Sequence, residues 1–201
     1  FDRLQVAEGQ ASAGQSLLIV GAAGGVGSIL TQLARQLTGM TVIGTASRPE
    51  TQEWVRNLGA HHVIDHRKPL SEELKRIGVG EVTHVASLNQ TEQHLPEIVA
   101  SLRPQGRLAL IDDPDNLDVR LLKQKSLSLH WEFMYTRSMF HTDDMIEQHN
   151  LLQRVAGLID SGVLKTTLGE HFGKIDAANL RRAHALLESN TAKGKIVLEG
   201  F

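Results

Sequence analysis

The stretch Ser16–Thr38, SLLIVGAAGGVGSILTQLARQLT, decides how this chain folds. Leu17, Leu18, Ile19 and Val20 make a short apolar run closed by Gly21, the mark of a strand buried on both faces of a parallel sheet. Ala22-Ala23-Gly24-Gly25-Val26-Gly27 follows as a glycine turn. Val26, Leu30, Leu33 and Leu37 then recur at helical spacing, with Thr31, Arg35 and Gln36 on the other side. The order is strand, glycine turn, helix.

That order has chemical consequences. Gly24 and Gly25 carry no side chain to hold an anion away from the backbone, and Gly27 lets the helix start pack close to the strand. The free N–H groups at a helix start, with the helix dipole, favour negative charge in such a turn. Against the dinucleotide fingerprint Gly-x-Gly-x-x-Gly, Ala22 stands at the first glycine position, while Gly24 and Gly27 hold the second and third. The turn reads either as a pyrophosphate cradle or as a merely tight packing turn. Its place between a buried strand and an amphipathic helix favours the cradle.

The rest of the chain repeats this rhythm. A second strand spans Met40–Thr45 after Gly39, read as a helix stop, and a helix from Glu50 to Leu58 ends at Gly59. Strand His62–Asp65, helix Leu70–Ile77, strand Val82–Ser87, a helix from Thr91 to Leu102 and strand Arg107–Ile111 complete five strand–helix alternations. This predicts an α/β fold, a doubly wound parallel sheet of about six strands with helices on both faces. Leu127, Leu129, Trp131 and Phe133 alternate with polar residues, so 127–133 reads as a half-buried edge strand able to pair with a second copy. A long helix starts at Asp143-Asp144, with Met145, Leu152, Val155 and Ile159 facing inward, and stops at Gly162. Asp176 is the N-cap of a last helix carrying Leu180, Ala183, His184 and Leu187, and Lys195–Leu198 is a closing strand. Residues 1–10 read as the tail of a helix and 11–15 as a linker, leaving 16–201 as the nucleotide-binding domain.

Composition narrows the function classes. The 201 residues suffice for one full core. A net charge of −2 gives no pull toward nucleic acid or an anionic membrane, and no apolar run is long enough to cross a bilayer. The absence of cysteine removes thiolate chemistry and disulfides and fits a cytoplasmic protein. The start at Phe1 rather than Met reads as a cut end.

In this fold an acidic residue about 20 positions past the glycines binds the adenosine ribose, and an arginine there accommodates a 2′-phosphate. Here the second strand ends on Ala46, Ser47 and Arg48, with no carboxylate before Glu50. Ser47 and Arg48 can donate to a 2′-phosphate, so this end favours NADPH over NADH; a turn serine with a solvated arginine is the plain alternative.

Ala22–Gly27, Val42-Ile43-Gly44-Thr45 with Ser47 and Pro49-Glu50, Leu58-Gly59-Ala60, Val63-Ile64-Asp65 and the closing Gly194-Lys195-Ile196-Val197-Leu198 together resemble the medium-chain dehydrogenase/reductases. The nearest branches are the quinone oxidoreductases and the zinc-type alcohol dehydrogenase-like proteins. The resemblance covers nearly the whole chain. It implies an upstream barrel-like domain, absent here, that supplies most of the substrate pocket and, in some members, zinc ligands. Residues 1–15 would then be the end of the interdomain helix and its linker. It further implies that Ala23, Gly24, Gly25 and Val26 cover the pyrophosphate and that Ser47 and Arg48 hold the 2′-phosphate. His66 would stand where quinone oxidoreductases carry a tyrosine near that phosphate. Ser87, Leu88 and Asn89 would approach the nicotinamide ribose, with Ile111, Asp112, Phe133 and Met134 nearby and Lys195 reaching the cofactor from the C-terminal end. The edge strand 127–133 would pair across a homodimer axis.

No acid–base constellation stands out. His61, His62 and His66 lie close in sequence, and His141 and His149 further on, but without cysteine or an HExxH-like pair no zinc site is expected in this chain. Asp112, Asp113 and Asp115 read as a solvated turn before Pro114 rather than a cation site. Tyr135 is followed four residues on by Met139, which removes the Tyr-x-x-x-Lys pair of short-chain reductases, and Ala46 argues against a methyltransferase. Two classes remain. One is the cofactor half of an NADPH-dependent oxidoreductase, inactive by itself, sharing a small-molecule substrate with the upstream domain. The other is a non-catalytic dinucleotide-binding sensor.

Overall fold

The computed structural model describes residues 1–200. Its main sheet has six parallel strands: β1 (Ser16–Val20), β2 (Thr41–Thr45), β3 (His62–Ile64), β4 (Val82–Ser87), β5 (Leu102–Leu110) and β6 (Ser128–Trp131). Their spatial order is β3-β2-β1-β4-β5-β6. The order reverses between β1 and β4, and this switch point opens a crevice at the carboxyl ends of the strands.

β1 is buried at all five positions because helices cover both of its faces. Leu17 and Ile19 pack with Val42, Ala34 and Val55 on the side of α1 (Gly25–Leu37) and α2 (Pro49–Asn57). Leu18 and Val20 pack with Ile43, Val85, Leu74 and Ile98 on the side of α3 (Leu70–Arg76) and α4 (Thr91–Ser101). The expected doubly wound fold is the one observed.

Several expectations are corrected. The face of α1 that meets the sheet is not its leucine stripe. Gly27, Ser28, Thr31 and Ala34 are buried there, because only small side chains let the helix lie close to β1. Thr31 Oγ1 donates to Gly27 O at 2.7 Å and Trp54 Nε1 donates to Ser28 Oγ at 2.9 Å, so the buried hydroxyls are satisfied. Leu30, Leu33 and Leu37 line a groove of about 300 Å³ against Leu151, Val155 and Leu158, and Leu30 also packs on the edge of the core. Gly39 is not a left-handed helix stop; Thr38 ends α1 in an extended conformation. Gly39 packs closely on the 9–13 turn, where a Cβ would lie 3.1 Å from Ala13 N.

β5 begins five residues earlier than the apolar run indicated. Leu102 pairs with Val82 and Arg107 with His84, so residues 103–106 form a bulge that interrupts the alternation. β6 stops at Trp131, leaving Phe133 about half exposed beyond its end; Leu127 and Leu129 pack on the core, while Trp131 does not. Residues 1–8 are turns, not a helix, strapped down by Arg107, whose Nη1 donates to Leu4 O and Gln5 O at 3.1 Å each.

Beyond the sheet come α5 (Thr136–Phe140), α6 (Ile146–Asp160), β7 (Leu168–Lys174), α7 (Ala177–Glu188) and β8 (Lys195–Glu199). Met145, Leu152 and Ile159 are exposed rather than inward on or beside α6, and α7 buries Ala183 but not Leu180 or Leu187. Asp143 and Asp144 precede α6 rather than start it; Asp144 accepts from Thr142 Oγ1 and Arg137 Nε. Asp176 does cap α7, accepting from Asn179 N at 2.8 Å. The closing strand does not join the main sheet. It pairs in parallel with β7, whose GEHFGK run has no two-residue alternation to announce it.

Candidate cofactor site

The switch-point crevice is a cleft of about 650 Å³. Its floor is the glycine turn between β1 and α1. Gly24 N donates to Gly21 O at 3.2 Å and Ser28 N to Gly24 O at 2.8 Å, which closes the turn and opens the helix. The amides of Gly25, Val26 and Gly27 lie in the first turn of α1, where no intrahelical carbonyl reaches them. A Cβ at Gly24 would meet nothing closer than 3.5 Å, and one at Gly25 only the side chain of Lys195, whose Cε and Nζ lie 2.5 Å from that position. Bare amides, the positive end of a helix and a lysine end converge on one spot, an arrangement that suits a pyrophosphate.

Lys195 is placed there by the second sheet. Gly194 N donates to Ala23 O at 2.9 Å and Lys195 N to Thr167 O at 2.8 Å, stitching the start of β8 onto the glycine turn. Gly194 has φ 61, and a side chain on it would overlap Thr167 O. Gln32 closes the same junction from α1, its Nε2 donating to Lys165 O and its Oε1 accepting from Lys165 N.

One end of the cleft is basic. Arg48 lies at the N-cap of α2, its Nη2 donating to Thr191 O at 2.6 Å and its Nη1 3.0 Å from Glu50 Oε1. Arg67, missed in the sequence, enters from the loop after β3 and donates to Ser47 O at 2.9 Å. It also pairs with Asp65, whose carboxyl the guanidinium holds below the usual carboxylate range. Glu73 fixes this loop by accepting from Asp65 N at 3.2 Å while paired with Arg76, which holds Glu73 likewise low. Thr45 Oγ1 accepts from Gly21 N at 3.0 Å and meets His66 Nδ1 at 3.2 Å.

The other end is set by Asp112. Its carboxylate accepts from Thr91 N at 2.8 Å and from Thr91 Oγ1, and Ser87 Oγ meets Thr91 Oγ1 at 2.7 Å. This chain fixes the loop Leu88-Asn89-Gln90, in which Gln90 takes a left-handed φ of 52. Asn89 lies against Gly21, where a Cβ would sit 2.5 Å from Asn89 Oδ1.

A family profile described as zinc-binding dehydrogenase matches residues 58–198. The chain belongs to the zinc-binding dehydrogenase family. The chain is 37% identical over 186 residues, 92% of its length, to a zinc-type alcohol dehydrogenase-like protein of Staphylococcus epidermidis, of which it spans 55%. It superposes with a TM-score of 0.94 and 56% identity on a proposed zinc-dependent alcohol dehydrogenase of Rhizobium etli, over all of this chain and 59% of that one. A mycobacterial protein solved in complex with NADPH matches with a TM-score of 0.77 and 26% identity, over 94% of this chain and 57% of that one. The chain thus spans a little over half the length of these relatives, and the medium-chain dehydrogenase/reductase resemblance is confirmed at the level of family and fold.

Of the residues singled out in the sequence, Ala23, Gly24, Gly25, Val26, Ser47, Arg48, His66, Asn89, Ile111 and Lys195 line the cleft. Ser87 does not; it is fully buried and spent on Thr91. Phe133 and Met134 are exposed beyond β6 and do not line the cleft. Thr45, Arg67, Gln93, His94 and Asn190 were missed, because they reach the cleft only through the topology. Among the described residues no group of three or more His, Cys, Asp or Glu side chains is placed to hold a metal ion. No described helix is long and apolar enough to cross a membrane.

Proposed function

We propose that this chain is the NADPH-binding part of an oxidoreductase that passes a hydride to a carbonyl, enal or quinone substrate. The observation that carries the reading is the pairing of a bare-amide glycine cradle with a basic end made of Ser47, Arg48 and Arg67 in one cleft. The bound nicotinamide would supply the hydride chemistry. The chain's own residues bind and orient it. Amides at the start of α1, with Lys195, face the pyrophosphate; Ser47 and Arg48 face the 2′-phosphate; the Asp112–Thr91–Ser87 chain sets Asn89 and Ile111 beside the nicotinamide side.

Arg48→Ala is expected to weaken NADPH about tenfold, the loss of one charge-assisted contact, and NADH by less than about twofold, measured by calorimetry. Equal losses for both would remove this assignment. For the whole enzyme the test is turnover: joined to its natural upstream sequence, the chain should oxidise NADPH with a quinone, enal or aldehyde, and alone it should bind without turnover. Binding without turnover in the longer protein would favour the sensor reading instead.

The small-molecule substrate is expected to sit between this chain and the upstream domain, in the cytoplasm. We also propose a homodimer through the edge at 127–133. β6 has one unpaired edge, and Trp131, Phe133, Met134, Tyr135 and Phe140 beside it are each at least half exposed, an apolar area suited to a second copy. Sedimentation velocity at micromolar concentration should show a dimer that Trp131→Glu converts to monomer; a monomeric parent chain would refute the pairing.

A further inference from the structure

We infer that His66 takes up a proton when the cleft binds a dinucleotide bearing a 2′-phosphate, so that affinity for NADPH, and not for NADH, is coupled to pH. This rests on the cofactor reading above and assigns that same site its regulation.

His66 lies at the basic end of the cleft with Ser47, Arg48 and Arg67. Its ring meets that of His94, on α4, edge-on with centroids 6.1 Å apart. Three carboxylates on the neighbouring elements are already engaged. Asp65, on its own loop, pairs with Arg67; Glu50, beside Arg48 on α2, pairs with Arg48; Glu73 on α3 pairs with Arg76 and lies 3.9 Å from Lys68. The imidazole therefore meets a second imidazole and lies beside the Arg67–Asp65 pair, with Arg48 lining the same cleft, and no carboxylate is hydrogen-bonded to it. Burial first, then His94, hold it below the ordinary histidine range; Asp65 pulls the other way and Arg67 adds to the lowering. Burial also lowers His94. The cleft thus favours the neutral ring, and a phosphate dianion beside it would favour the protonated one.

The local hydrogen bonds accept both forms. Thr45 Oγ1 already accepts from Gly21 N, so its own proton is free to go to a neutral Nδ1. When the ring is protonated, the hydroxyl turns and its second lone pair accepts from Nδ1–H. Proton uptake thus reverses this contact without breaking it, and the proton comes from solvent. An opposite charge placed within about 4–6 Å raises a pKa by roughly 1–3 units, and each unit is tenfold in binding.

The test is calorimetric titration of the chain with NADPH and with NADH at pH 7, in three non-phosphate buffers of different ionisation enthalpy. NADPH is expected to bind with uptake on the order of half a proton and NADH with close to none. Between pH 6 and 8, NADPH affinity should fall about tenfold more than NADH affinity. His66→Gln should abolish the uptake that accompanies NADPH binding. If both dinucleotides bind with the same buffer dependence in the parent chain, the proton coupling is wrong and the cofactor reading stands; this comparison needs no variant. Uptake unchanged in His66→Gln would likewise overturn the role of His66. If neither dinucleotide binds, both readings fall.

Discussion

Gly27→Ala removes dinucleotide binding and lowers stability by about 2 kcal/mol, although alanine is the better helix former. A Cβ at Gly27 would overlap Gly21 O and lie 2.6 Å from Ala22 Cα. Both atoms are backbone and cannot rotate away. The first turn of α1 must move off β1, carrying the Gly25 and Val26 amides with it. The contrast is Gly157 in α6, where a Cβ would meet nothing within 4 Å. There the same substitution should stabilise by roughly 0.5–1 kcal/mol and leave binding alone. Thermal unfolding and NADPH titration of the two variants side by side check the prediction. Equal behaviour of the two would show that the close packing of the glycine turn is not what shapes the site.

The second large effect is on stability against pH, and it comes from His84. This residue sits in β4, 4% exposed, with Nδ1 2.7 Å from Thr83 Oγ1 and Nε2 without a partner at hydrogen-bonding geometry. Burial first, then the guanidiniums of Arg107 and Arg103, push its pKa down to about 4; the backbone carbonyls of Leu4 and Ser16 oppose the shift without cancelling it. The unfolded chain binds a proton near the ordinary histidine value and the folded chain does not. Stability is therefore whole above pH 6.5, drains as pH falls from 6.5 toward 4, and levels below that. The full shift corresponds to ~3 kcal/mol, and partial screening by solvent leaves about 2 kcal/mol. His84→Leu, close in volume, should flatten that share of the profile, because Thr83 keeps its exchange with Ser16. Denaturant melts of both proteins at pH 7.5 and 4.5 read the difference. Parallel profiles would mean that His84 is not shielded as described.

The fold was legible because β1 is buried on both faces and so reads as an unbroken apolar run, and because glycine turns punctuate each crossover. The glycine cradle was legible for the same reason: its chemistry is contiguous in sequence. The faces of α1 were not. A leucine stripe normally marks the buried side, but the need for close approach to β1 put Gly27, Ser28, Thr31 and Ala34 there instead. Arg67 and His94 were not legible as site residues, because the loop after β3 brings Arg67 to Ser47 and α4 brings His94 to the same cleft. β7 escaped notice because a strand of a two-stranded sheet with mostly exposed residues has no burial to impose a pattern.

The measurement that bears most directly on the account is an equilibrium titration of this 201-residue chain with NADPH. Saturable one-to-one binding, lost in Gly27→Ala and kept in Gly157→Ala, is the predicted result. No saturable binding of NADPH or NADH by the folded chain would contradict the claim that the bare amides at the start of α1 cradle a dinucleotide.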